Sequence, residues 1–145
     1  MQVDFYQLSR YPVHLVVPVI AGRVLEQGGR LLIVDGREDA RGRISAALWA
    51  AQPASFLAHG HAGEEQAQHQ PILLSESCQA ENTARHIALA DGIWRDEALE
   101  YERAFYFFDD AVLDDARANW RRIKGLNPGD LRFWKQEGRR WVQAG

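Results

Sequence analysis

The chain has 145 residues, of which 46% are hydrophobic and 26% charged, a mixture that suits one globular domain with its own core and excludes a disordered or membrane-embedded chain. Its most apolar run, Val13 to Ala21, is interrupted by His14 and Pro18 and falls far short of the roughly 20 apolar residues that a membrane span requires. The net charge of −3 is unevenly spread: from Ala116 to Gly145 eight basic side chains stand against two acidic ones, while the first 115 residues carry nine basic and eighteen acidic. A one-signed segment of this kind steers acidic partners toward it and says little about fold.

In chain order, Val3–Leu8 alternates in period two and reads as a strand. A helix from about Pro12 to Gln27 follows, with Leu15, Val19, Ile20 and Leu25 at helical spacing and Gly28-Gly29 as its stop; Pro18 belongs in a first turn or at a kink. Leu31–Val34 is a continuous apolar run closed by Asp35-Gly36, as expected of a buried parallel strand. A second helix over about Arg37 to Ala51 sets Ile44, Ala47, Leu48 and Ala51 on one face and ends before Pro53. The stretch His59–Gln70 has no periodicity and reads as a mobile surface loop. Pro71–Leu74, His86–Ala90 and Arg103–Phe108 read as strands.

The most clearly marked helix is Ala111–Lys124. Asp109 or Asp110 can cap it, Asp114 and Asp115 suit its N-terminal dipole, Arg121, Arg122 and Lys124 suit its C-terminus, and Gly125 supplies a stop. Val112, Ala116, Trp120 and Ile123 form an apolar stripe on it, with Arg117, Arg121 and Lys124 in a basic stripe alongside. Alternating strands and helices predict a single α/β domain over residues 1–145, three layers deep around a mainly parallel sheet.

The motifs of catalysis are missing. The turn after the first strand, Ser9-Arg10-Tyr11-Pro12, lacks the glycines of a dinucleotide site, and Gly28-Gly29 precedes a strand, the wrong side for a phosphate cradle. Asp35, Asp91 and Asp109 each follow a strand and could together hold Mg²⁺ for phosphoryl transfer or nucleotide binding; turn and cap chemistry explains them more simply. His59, His61 and His69 have no companion ligands at zinc spacing. Ser75, Ser77 and Cys78 have no identifiable base or oxyanion donor. No metal, cofactor or catalytic residue is therefore expected.

Aromatic residues among the basic ones (Trp120, Phe133, Trp134, Trp141) allow base stacking, but the acidic remainder of the chain would repel a long polyanion. A short acidic peptide fits the segment better. Two readings stay open from the residues alone: a docking surface rich in Trp and Arg, or packing tryptophans beside a solvated basic face. The N-terminus, Met1-Gln2-Val3-Asp4, lacks the features of a secretory signal and Cys78 has no partner for an intrachain disulfide, so a cytoplasmic protein is expected.

The sequence resembles the chi subunit family of the bacterial DNA polymerase III holoenzyme. The residues that carry the resemblance are Val3-Asp4-Phe5-Tyr6-Gln7-Leu8, the second-strand run from Gly28 to Val34, Ala47-Leu48-Trp49 followed by Ser55-Phe56-Leu57-Ala58-His59-Gly60, Gln70-Pro71-Ile72-Leu73-Leu74, and Ala116-Arg117 with Trp120-Arg121. The resemblance implies a Rossmann-like α/β/α domain without catalytic activity. It also implies an adaptor that binds the acidic, Phe-terminated tail of single-stranded DNA-binding protein and joins the clamp loader through the psi subunit or another component, meeting DNA only indirectly within the nucleoid-associated replisome. By position, Arg117, Trp120, Arg121 and Lys124 would receive the tail with Trp49 nearby, and Phe56 would face psi or another partner. Leu113 stands where relatives can carry a basic residue, and Trp120 where Tyr is common.

Overall fold

The computed structural model describes residues 1–51 and 57–145, so Pro53 and Phe56 lie outside the described residues. The elements run β1 (Gln2–Gln7), α1 (Val13–Glu26), β2 (Leu31–Val34), α2 (Glu38–Ala50), β3 (His59–His61), β4 (Ile72–Ser75), β5 (His86–Leu89), β6 (Arg103–Phe108), α3 (Leu113–Leu126), β7 (Asp130–Glu137) and β8 (Arg140–Gln143). The strands form one sheet in the order β3-β4-β2-β5-β6-β1-β7-β8. Every pairing is parallel except β7 with β8. Parallel strands joined by crossovers are covered on both faces, which is why Leu31, Leu32, Ile33 and Val34 are all fully buried.

Alternation along each strand divides the core in two. On one side α1 and α2 lay Val17, Ile20, Ala21, Val24, Ile44 and Leu48 over Tyr6, Leu31, Ile33, Leu74, Phe105 and Phe107. On the other α3 lays Ala116 and Ile123 over Val3, Phe5, Leu32, Leu89, Tyr106 and Phe108. The three-layer expectation holds, with two helices on one face and one on the other. Burial pushes the phenols of Tyr6 and Tyr106 up to about 12, so both remain neutral members of the core, and the Tyr106 hydroxyl donates to the Gly92 carbonyl at 2.7 Å.

Several boundaries differ from expectation for local reasons. Asp4 breaks the alternation of β1 because it is buried as well: its carboxylate accepts from Gln2, from Arg103 and from the indole N–H of Trp134. Pro18 lies inside α1, six residues into it, and not in its first turn. The α1 stop is as read: Gly28 takes φ +78°, its N–H donates to Leu25 O, and Gly29 N–H donates to Val24 O, each at 2.9 Å.

The stretch His59–Gln70 is not a mobile loop. It holds edge strand β3, a turn, and a short 3-10 segment at Ala67–His69 that buries Ala67. Its periodicity is invisible because an edge strand of three residues is too short to display any, and because Gly60 is there to allow close approach: a Cβ at that position would stand 2.8 Å from Gln70 Cγ.

Helix α3 begins later and ends later than expected. A 3-10 turn at Asp110–Val112 precedes it, with the Asp109 side chain accepting from Ala111 N–H at 3.0 Å. Gly125 stays helical, and Asn127 supplies the left-handed C-cap at φ 50°, its N–H donating to Lys124 O. The chain then adds β7 beside β1 and turns back as β8, a hairpin that periodicity did not reveal.

Candidate functional site

Helix α3 sets one aromatic side chain, Trp120, among four cationic ones, Arg117, Arg121, Arg122 and Lys124. Its inward residues Ala116 and Ile123 are buried, and half-buried Trp120 packs edge-on against Phe5 and Phe133, both at 5.4 Å between ring centroids. Edge-to-face contacts hold the indole in one orientation. Arg122 points away from this cluster to Asp96 on the β5–β6 connection, at 2.8 Å, and its hydrogen bonds hold that carboxyl below the usual carboxylate range. Arg117, Arg121 and Lys124 are exposed, and none forms an ion pair with an acidic side chain among the described residues. Of the expected tail-binding residues, Arg117, Trp120, Arg121 and Lys124 therefore lie together. The aromatic floor supplied by Phe5 and Phe133 is set by the β1–β7 pairing, which joins residues about 130 positions apart, with Phe5 opposite Phe133 in register. Nothing local in the sequence signals that neighbourhood.

Trp49 is elsewhere. It projects from α2, on the opposite face of the sheet from α3, is 51% exposed, and lies over His59 with ring centroids 4.4 Å apart. Trp49 is thus not near Trp120, contrary to what the resemblance implied: the sheet separates them, because α2 and α3 follow strands whose crossovers pass on opposite faces. Beneath Trp49, His59 donates from Nδ1 to Leu57 O at 3.0 Å and accepts from the Ser45 hydroxyl at Nε2, 2.7 Å away. That tautomer follows from the carbonyl, which can only accept. Burial pushes the His59 pKa below its ordinary value, favouring the neutral ring. The other expected contact, Phe56, lies outside the described residues.

The strand-end carboxylates close their own turns. Asp35, fully buried, accepts from Arg37 N–H at 2.9 Å and from its guanidinium at 3.0 and 3.1 Å. Asp91 accepts from Gly36 N–H, Ile93 N–H and the Arg95 fork. Burial works against its charge, but the hydrogen bonds from Arg95 and Gly36 outweigh burial and hold the Asp91 carboxyl below its ordinary value. Asp109 is a cap. No group of three His, Cys, Asp or Glu side chains suited to a metal occurs among the described residues, which removes the support for a Mg²⁺ site on Asp35, Asp91 and Asp109.

A cleft of about 580 Å³ opens where β1, β5 and β6 end, the place where open parallel sheets commonly bind ligands. Here the cradle in the β1–α1 turn is filled from within the chain: the N–H groups of Ser9, Arg10 and Tyr11 all donate to Gln136 Oε1, at 3.0, 2.9 and 3.0 Å. A side-chain amide occupies the position a phosphate oxygen would take.

These features define a three-layer α/β protein of Rossmann-like architecture whose helix α3 carries exposed cations beside a half-buried indole. The family described as DNA polymerase III chi subunit, HolC, matches residues 1–127, and the chain belongs to that family. Chi is an accessory, non-catalytic subunit of DNA polymerase III, so the chain's place is in that complex. A search of the curated proteins finds no match. No helix among the described residues is long and apolar enough to cross a membrane.

Proposed function

We propose that this protein is a replication adaptor that binds the acidic, Phe-terminated C-terminal tail of single-stranded DNA-binding protein on α3 and ties it to the clamp loader. The observation that carries the reading is the row Arg117, Arg121 and Lys124 without acidic partners among the described residues, beside the oriented indole of Trp120. Guanidinium groups bind carboxylates through paired, charge-assisted hydrogen bonds, and an indole wall accepts an aromatic ring. DNA is met indirectly, through the tail. Trp49, on the opposite face and next in sequence to the segment containing Phe56, is assigned with Phe56 to the contact with psi or another clamp-loader component.

Titration with a tail peptide tests the site. Arg117→Ala and Trp120→Ala should each lose about 1 to 4 kcal/mol of affinity, the range of interface hot spots. Binding should weaken as salt is raised, because exposed charges are screened. Unchanged affinity in both variants refutes the assignment.

A further inference from the structure

The hairpin β7–β8 lies outside the family match, which ends at residue 127, yet it builds the ground beside α3. By alternation Leu131, Phe133 and Lys135 share one face of β7, and Leu131 and Phe133 pack on the α3 side. Register pairs Lys135 with Val142 of β8, so Val142 lies on that same face, where it is 41% exposed. Beyond β8 the pairing continues: Ala144 N–H donates to Phe133 O at 2.7 Å and Phe133 N–H to Gly145 O at 3.1 Å. This brings Gly145 against Trp120. A Cβ at 145 would stand 3.1 Å from Trp120 Cζ2, so a glycine there leaves the edge of the indole uncrowded.

The helix turns two of its cations, Arg117 and Lys124, toward this hairpin. Arg122 faces the β5–β6 connection through Asp96. At about 100° per residue, Arg117 and Lys124 fall on the opposite flank and Arg121 on the outer surface between them. Trp120 leans the same way, onto Phe133. Trp120, Phe133 and Val142 thus share one side of the molecule, bordered by Arg117, Arg121 and Lys124 along the helix and by Lys135 along the hairpin. None of these four cations forms an ion pair among the described residues. The two acidic side chains of this flank, Asp114 and Glu137, both stand at the end where the sheet strands terminate, because α3 runs antiparallel to β7 in the crossover.

Resting on the function proposed above, we infer that the acidic, aromatic-ended peptide is held between α3 and the β7–β8 hairpin, with Lys135 and Val142 as direct contacts that set affinity and selectivity. Charge complementarity selects the occupant: unpaired cations on both sides of an aromatic surface suit an acidic peptide segment with an apolar anchor. An apolar helix would leave those cations unpaired.

The test is a fluorescence-anisotropy titration of the full chain with a labelled acidic peptide ending in Phe. Val142→Asp should weaken binding about tenfold or more, since it places an anion on that surface, and Lys135→Ala about three- to tenfold. Arg85→Ala removes one positive charge from a distant exposed pair with Glu102 and should change affinity less than about twofold. Both hairpin positions are exposed, and circular dichroism of each variant checks that the fold is kept. Loss of binding in Arg117→Ala and Trp120→Ala together with unchanged binding in Val142→Asp and Lys135→Ala overturns the hairpin contact while leaving the α3 reading standing. Unchanged binding in all four overturns both, and loss in the hairpin variants alone overturns the shared site.

Discussion

Replacing Gln136 by alanine isolates the contact that joins the C-terminal hairpin to the entry of α1. The buried Gln136 Oε1 takes three successive backbone N–H groups, from Ser9, Arg10 and Tyr11, at 2.9 to 3.0 Å. Alanine leaves all three without that acceptor, while the bond from the Ser9 hydroxyl to the Gln136 carbonyl at 2.9 Å survives because its acceptor is a main-chain oxygen. A net intramolecular hydrogen bond contributes about 0.5 to 1.5 kcal/mol, and a stranded buried donor costs about 1 to 3. Ser9 and Arg10 are exposed, so water replaces part of the loss, and the expected destabilisation is about 2 to 3 kcal/mol. In a domain of this size that lowers the Tm by roughly 5 to 10 °C. Urea denaturation should show a lower midpoint with an unchanged slope. Gln136→Glu supplies the same acceptor with a charge that three donors favour, which depresses its folded-state pKa. Its stability should match the parent above about pH 5 and fall as acid protonates the carboxylate through that depressed value. A loss below about 0.5 kcal/mol in Gln136→Ala, or equal destabilisation by both variants at neutral pH, would refute the reasoning.

Two further perturbations probe the core. Asp4→Asn removes the charge that Arg103 meets at 3.1 Å. Breaking a buried pair costs about 3 to 5 kcal/mol, and because Arg103 is 30% exposed the expected loss by urea denaturation is nearer about 2 to 3; a value under about 1 kcal/mol would mean that the pair is solvated. Stability should also decline as pH falls below about 6.5, because burial lowers the pKa of both His59 and His86 and the unfolded chain takes up protons that the fold refuses. The buried Nδ1 of His86 has no hydrogen-bond partner among the described residues, which adds to the cost of ordering that ring. The double variant His59→Gln with His86→Gln should flatten the decline between about pH 7 and 5.5, and an unchanged slope would place its origin elsewhere.

Local signals were sufficient for much of this protein. Continuous apolar runs marked β2, β4, β5 and β6 because both faces of a parallel strand must be buried. Gly28-Gly29 marked the end of α1 because only the first of them needs a left-handed backbone. The stripe Ala116, Trp120 and Ile123 beside Arg117, Arg121 and Lys124 was legible because helical spacing is a property of neighbours in sequence. Strand β3 and the hairpin were hidden for the converse reason: an edge strand has little to bury, and in β7 the packed residues Phe133 and Trp134 point to opposite faces, which erases alternation.

Composition, periodicity and turn chemistry determined the fold class and a helix with its cations in a row, and the ordered sequence motifs carried the family resemblance. Tertiary structure alone decided which distant residues complete that helix. It set Trp49 apart from that helix by placing a sheet between α2 and α3, and it put Phe5 and Phe133 against Trp120 through the pairing of the first strand with the seventh. It also filled the β1–α1 cradle with Gln136. The physical reason is the same in each case: such contacts depend on which strand lies next to which and on the face each crossover takes, and strand order joins segments more than 100 residues apart without leaving a mark on either one.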